Sequence, residues 1–106
     1  MFSLIRRLSS AGVSHENLPD GPLRPNRDVF SAEQDGMTVL LDLRREVFLG
    51  VDEVGTIVWQ HIERGASRRS IEQELERIYD APAEQLRSDV GRFIEDLVGR
   101  GLVVAA

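Results

Sequence analysis

The chain has 106 residues, 42% of them hydrophobic, and a formal net charge of −5 at pH 7. That length suits one small domain with its own core rather than two. The acidic balance, with arginines interleaved among acids, argues against a nucleic-acid binder, and the lack of cysteine removes disulfide scaffolds and thiolate metal sites.

There is no lysine, and the all-arginine cation usage with many Ala, Gly and Val suggests a GC-rich bacterial genome. The two histidines, His15 and His61, lie far apart with no ligand spacing, so no metal site is expected. No apolar run approaches the roughly 18 to 20 residues of a membrane span. The cysteine-free composition fits a reducing compartment, and the protein is expected in the cytoplasm.

Residues 1–22 read as a flexible extension and 23–106 as the domain. Phe2, Leu4, Ile5 and Leu8 trace one face of a short, weakly helical tail beside Arg6 and Arg7. A signal peptide needs a longer apolar block and a small-residue cleavage site. Pro19, Pro22 and Pro25 mark a linker ending near Leu23, because proline fixes φ and donates no ladder hydrogen bond.

A short strand is expected over Val29 to Ala32, followed by a turn at Gln34-Asp35-Gly36, since Asp-Gly suits a hairpin turn with positive φ. Met37 to Leu43 reads as the second strand, with Val39 and Leu41 on one face and Leu40 and Asp42 on the other. After a glycine-free turn at Arg44-Arg45, Glu46 to Gly50 reads as the third strand, with Val47 and Leu49 opposite Phe48. Short connections make these three an antiparallel meander.

Asp52 is a good N-cap for a first helix carrying Val54, Ile57, Val58, His61 and Ile62 at helical spacing, with Trp59 as core support and Gly65 as the stop. Ser67 caps a second helix whose buried face is Ile71, Leu75, Ile78 and Tyr79. Pro82 suits the first position of a third helix that runs to about Arg100 and stops at Gly101. Leu86, Val90, Phe93 and Leu97 form its main stripe. Ile94 and Val98 form a second stripe, with Gly91 between the two. Leu102 to Val104 reads as an extended tail.

The fold class is therefore α+β: a three-stranded antiparallel sheet followed by three helices, an arrangement like a winged helix-turn-helix. No nucleophile with a base, no phosphate loop and no paired carboxylates across a cleft are evident, so no enzyme and no cofactor is expected. An edge strand presents unpaired N–H and C=O groups that an extended peptide can satisfy. The second apolar stripe of the third helix is either more core or the wall of such a groove.

The run Leu23-Arg24-Pro25, Asp35-Gly36-Met37, Leu41-Asp42 and Phe48-Leu49-Gly50-Val51-Asp52-Glu53-Val54-Gly55-Thr56-Ile57-Val58-Trp59 resembles PqqD-like proteins, the RiPP recognition elements. The later run Ile71, Leu75, Tyr79, Asp89-Val90, Phe93-Ile94, Leu97 and Gly101-Leu102-Val103 continues the resemblance to about residue 104. It implies a non-catalytic domain that binds the leader of a ribosomally made precursor peptide as a strand added to the third strand and laid against the third helix. The leader is then presented to a leader peptidase or other modifying enzyme. Free-standing domains of this length look most like those of lasso-peptide pathways, whose partner is a cysteine protease; serving a radical-SAM enzyme, as PqqD does, is the sister possibility. By position the peptide-binding residues would be Glu46, Val47, Phe48 and Leu49 on the strand, and Arg87, Val90, Gly91, Ile94 and Val98 on the helix.

Two other readings stay open on sequence. A winged-helix DNA regulator would use Arg68, Arg69 and Arg77 of the second helix, although Glu72, Glu74, Glu76 and Asp80 accompany them. A scaffold domain would dimerise through the exposed strand edge.

Overall fold

The structure is a computed structural model and describes residues 21–106. The elements are β1 (Leu23–Pro25), β2 (Val29–Gln34), β3 (Met37–Asp42), β4 (Val47–Val51), α1 (Glu53–Glu63), α2 (Arg68–Ile78), α3 (Ala83–Gly99) and β5 (Val103–Ala105). The expectations for the helical tail and the first part of the linker lie outside the described residues.

Strands β2, β3 and β4 form the expected antiparallel sheet in that order, and the three helices follow it. Gln34 pairs with Met37 around Asp35 and Gly36, whose φ values of 55° and 77° are the two positive angles that a tight hairpin turn of this hand requires. The β3–β4 connection is longer, closed by the pair Asp42↔Val47. With no glycine in Leu43-Arg44-Arg45-Glu46, Glu46 takes the left-handed conformation itself, at φ 55°. Glu46, expected as the first residue of the strand, is therefore a turn residue, and the strand begins at Val47.

The helix ends follow local chemistry. The Asp52 carboxylate accepts from the Gly55 backbone N–H at 3.0 Å, and Ser67 Oγ accepts from the Ser70 N–H at 3.2 Å. Pro82 stands one place outside α3, as its N-cap, and the chain leaves α3 through Gly101 at φ 75°.

The core sits between the inner face of the sheet and the helices. Leu40, Leu49 and Val51 point into it from the strands. Val58, Trp59 and Ile62 enter from α1, Ile71 and Leu75 from α2, and Leu86, Val90, Phe93, Ile94 and Leu97 from α3. Ile78, expected on the buried face of α2, is 44% exposed. It is the last residue of that helix.

A second, two-stranded sheet was not expected. β1 pairs antiparallel with β5, Arg24 opposite Val104, and ties the start of the domain to its end. The Ala106 N–H donates to the Pro22 carbonyl at 2.9 Å and the Asn26 N–H to that of Leu102 at 2.9 Å. Three-residue strands, one ending in proline, carry no alternation to read, and their pairing spans the whole domain.

Candidate functional site

β4 reads Val-Phe-Leu-Gly-Val and pairs with β3 along one side. Among the described residues no strand lies on its other side. The sheet has a second open edge, β2, but that strand carries Glu33 and polar Ser31 and Gln34. Ser31 donates to Glu63 at 3.2 Å, and Gln60 donates to Glu33 at 2.8 Å, which ties β2 to α1. Charged and polar side chains are the usual means of blunting an open edge. β4 has none, and Val47 and Phe48 are 46% and 70% exposed.

Beside the start of β4 is a small open recess of about 70 Å³. Leu40, Val47, Leu49 and Leu102 supply its apolar walls, and Asp42, Arg45 and Arg100 its polar rim. It lies between the sheet and the segment that leaves α3. α3 packs on α2 and β5, whereas β4 packs on β3 and α1.

The turn before β4 is clasped to the end of α3. Arg44 donates to the Gly101 carbonyl at 3.1 Å and Arg45 to that of Arg100 at 2.6 Å, satisfying carbonyls that the helix end leaves open. The buried Asp42 carboxylate organises both arginines. It accepts from the Arg44 backbone N–H at 3.0 Å and stands 3.6 Å from Arg44 Nε and 4.0 Å from Arg45 Nε. Asp28 adds a second carboxylate 3.7 Å from Arg44 Nε.

Val47 and Leu49 of the expected strand residues line the recess. Phe48 points to the opposite, outer face, and Glu46 sits in the turn. On α3, Val90 and Ile94 are wholly buried, so neither offers a surface and both stripes belong to the core. Val98 is half-buried, Arg87 is exposed, and the Gly91 backbone is buried, although a Cβ added there meets nothing within 4 Å. Leu40, Asp42, Arg45, Arg100 and Leu102 were not singled out from sequence. The parity that puts Leu40 and Asp42 opposite Val39 and Leu41 was the available signal for the first two; the others depend on the hairpin meeting the α3 terminus.

Burial pushes the Asp96 carboxyl up from its usual range, opposed by Arg100, whose Nε lies 3.8 Å away. Burial also raises Tyr79, helped by Glu53 and Asp52. Among the described residues there is no cluster of His, Asp or Glu suited to a metal ion, and no helix long and apolar enough to cross a membrane. Two of the three arginines of α2 are engaged with acids on the same helix, Arg68 with Glu72 at 3.2 Å and Arg77 with Glu74, which leaves little of the cationic face a DNA-reading helix needs.

The family model described as coenzyme PQQ synthesis protein D (PqqD) matches residues 37–103, from β3 to the start of β5. No curated protein matches the chain. Among solved structures, TbiB1 in complex with the TbiA(beta) leader peptide is similar at 25% identity and a TM-score of 0.74, over 78% of this chain and 96% of that one. Lasso peptide synthetase B1 complexed with the leader peptide shares the fold at 21% identity and a TM-score of 0.71, over 77% of this chain and 96% of that one.

Proposed function

This chain belongs to the PqqD family, and on that premise we propose that it is a non-catalytic adaptor of lasso-peptide biosynthesis. It captures the leader of a ribosomally made precursor peptide as a strand added to β4 and presents it to a leader peptidase or other modifying enzyme. The work is done in the cytoplasm, where the precursor is made.

The observation that carries this reading is the uncharged, open β4 edge beside an apolar recess. An incoming extended segment gains main-chain hydrogen bonds from the edge, and every second side chain turns toward the recess and α3. Val47 and Leu49 form the near wall, and Val98, Gly91 and Arg87 are the α3 positions along which the peptide lies. TbiB1, similar over most of this chain, is a protein held with a leader peptide, which supports the same ligand class here.

The test is fluorescence anisotropy with a labelled leader peptide from a precursor encoded beside this gene. Saturable binding tighter than about 10 μM is expected, weakened at least about tenfold by Val47→Lys, which puts a desolvated charge against the recess. A folded protein that binds no leader, or a Val47→Lys variant that binds as well as the parent, contradicts the proposal.

A further inference from the structure

The outer face of the three-stranded sheet is apolar throughout its middle. In register across the strands, Phe30 pairs with Leu41 and Leu41 with Phe48; one step along, Ala32 pairs with Val39 and Val39 with Gly50. Met37 shares this face by parity at the start of β3, and exposed Leu43 follows the strand in the turn at its other end. Gln34 is the only polar side chain pointing outward from the three strands, and none is charged. Phe30 is 57% exposed, Phe48 70%, Leu43 52% and Val39 44%. Charges gather at the ends instead, with Asp28, Arg44, Arg45 and Glu46 at one end and Asp35 at the other.

Antiparallel sheets that face water on one side ordinarily alternate apolar-in and polar-out. Here the outward positions are apolar too, around two solvent-facing phenylalanines with charges at the rim. That is the anatomy of a protein–protein interface, an apolar centre with aromatic anchors inside a polar border. The exposed apolar area of the four large side chains is roughly 400 Å², given the 150–250 Å² that an aromatic buries when fully covered. A stable dimer takes about 800 Å² from each copy. These four anchors supply about half of that, which fits a transient encounter with a different protein better than a permanent dimer of this chain.

We propose that this outer face docks the enzyme that processes the captured peptide, through an uncharged apolar patch on that enzyme. The inference rests on the adaptor reading for the identity of the partner. It adds the place: β4 carries the peptide along its edge and Phe48 on its outer face, so the two ligands sit on adjoining sides of one strand. The enzyme is thereby held next to the leader without occupying the leader's groove.

The experiment measures two associations separately on the full chain, using the leader peptide and the purified processing enzyme encoded beside it, the latter without peptide. The variants are Phe30→Glu and Ala32→Glu, both exposed outward positions of β2, on the far side of the sheet from β4; urea unfolding and circular dichroism check that they fold as the parent does. Both are expected to bind the leader peptide within about twofold of the parent and to lose at least about tenfold in affinity for the enzyme. Enzyme affinity unchanged in both folded variants overturns the proposal. So does sedimentation showing a dimer that either variant dissolves, or enzyme binding that increases when residues 1–20 are deleted, which assigns the face to a second copy or to the chain's own terminus. A parent that binds the enzyme through this face but no leader peptide refutes the adaptor reading instead.

Discussion

Asp42 is the residue on which the geometry of the β4 edge depends most. Its carboxylate is 3% exposed, accepts from the Arg44 N–H and stands beside two guanidiniums that close over the α3 terminus. A hydrogen bond to a charged acceptor contributes about 1.5–3 kcal/mol. The ion pairs add less, about 0–1 kcal/mol each, because Arg44 and Arg45 are 42% and 56% exposed. Asp42→Ala is therefore expected to cost about 2–4 kcal/mol, and Asp42→Asn, which retains an acceptor for the Arg44 N–H, about 1 kcal/mol. With a urea m-value of roughly 1–2 kcal/mol/M for a domain of this size, the alanine variant shifts the midpoint down by at least about 1 M. Leader affinity falls as well, because the strand loses the turn that presents it. An alanine variant within about 0.5 kcal/mol of the parent, or an asparagine variant as damaged as the alanine, refutes the assignment of Asp42 as the organiser of the clasp.

Gly91→Ala is expected to stabilise the protein by about 0.5–1 kcal/mol, since its Cβ meets nothing within 4 Å, while weakening the leader; thermal unfolding and anisotropy read the two effects in opposite directions. Gly101→Ala is expected to destabilise by about 1–2 kcal/mol, from a φ of 75° and a Cβ placed 3.2 Å from Arg44 Nη2, as measured by urea unfolding. Asp96 has a folded pKa above its unfolded value because burial disfavours its charge, so its protonated form is the one the fold prefers. The fold is thus favoured below the unfolded pKa and loses that contribution as pH rises through the folded pKa. Asp96→Asn is expected to raise stability at pH 7, with the advantage shrinking as pH falls through the carboxylate range; unfolding midpoints at several pH values check it.

Much of this arrangement was legible because each local signal had one physical meaning. Asp35-Gly36 demanded a positive-φ turn, Asp52 and Ser67 supplied side-chain acceptors where helices start, and period-2 alternation separated Leu40 from Val39 and Leu41, and Leu49 from Phe48, without saying which face is inside. Glu46 was misplaced because a glycine-free turn does not announce which residue adopts the left-handed conformation. The β1–β5 pair was missed because short strands separated by the whole domain leave no local pattern. The site divides the same way. Of the four strand residues that the resemblance implies, Val47 and Leu49 line the recess, whereas a helical stripe does not reveal which of its members the neighbouring elements cover. Val90 and Ile94 proved to be core, and the Arg44–Arg45 clasp became visible only once the hairpin stood against the α3 terminus.

The most direct test of strand capture is backbone amide hydrogen exchange, residue by residue, with and without saturating leader peptide. The outward N–H groups of an edge strand exchange freely until a partner strand takes them up. The account predicts new protection at alternate residues of Val47–Val51, with the amides of β2 unchanged. Protection along Val29–Gln34 instead, or saturable binding with no added protection in β4, would contradict it.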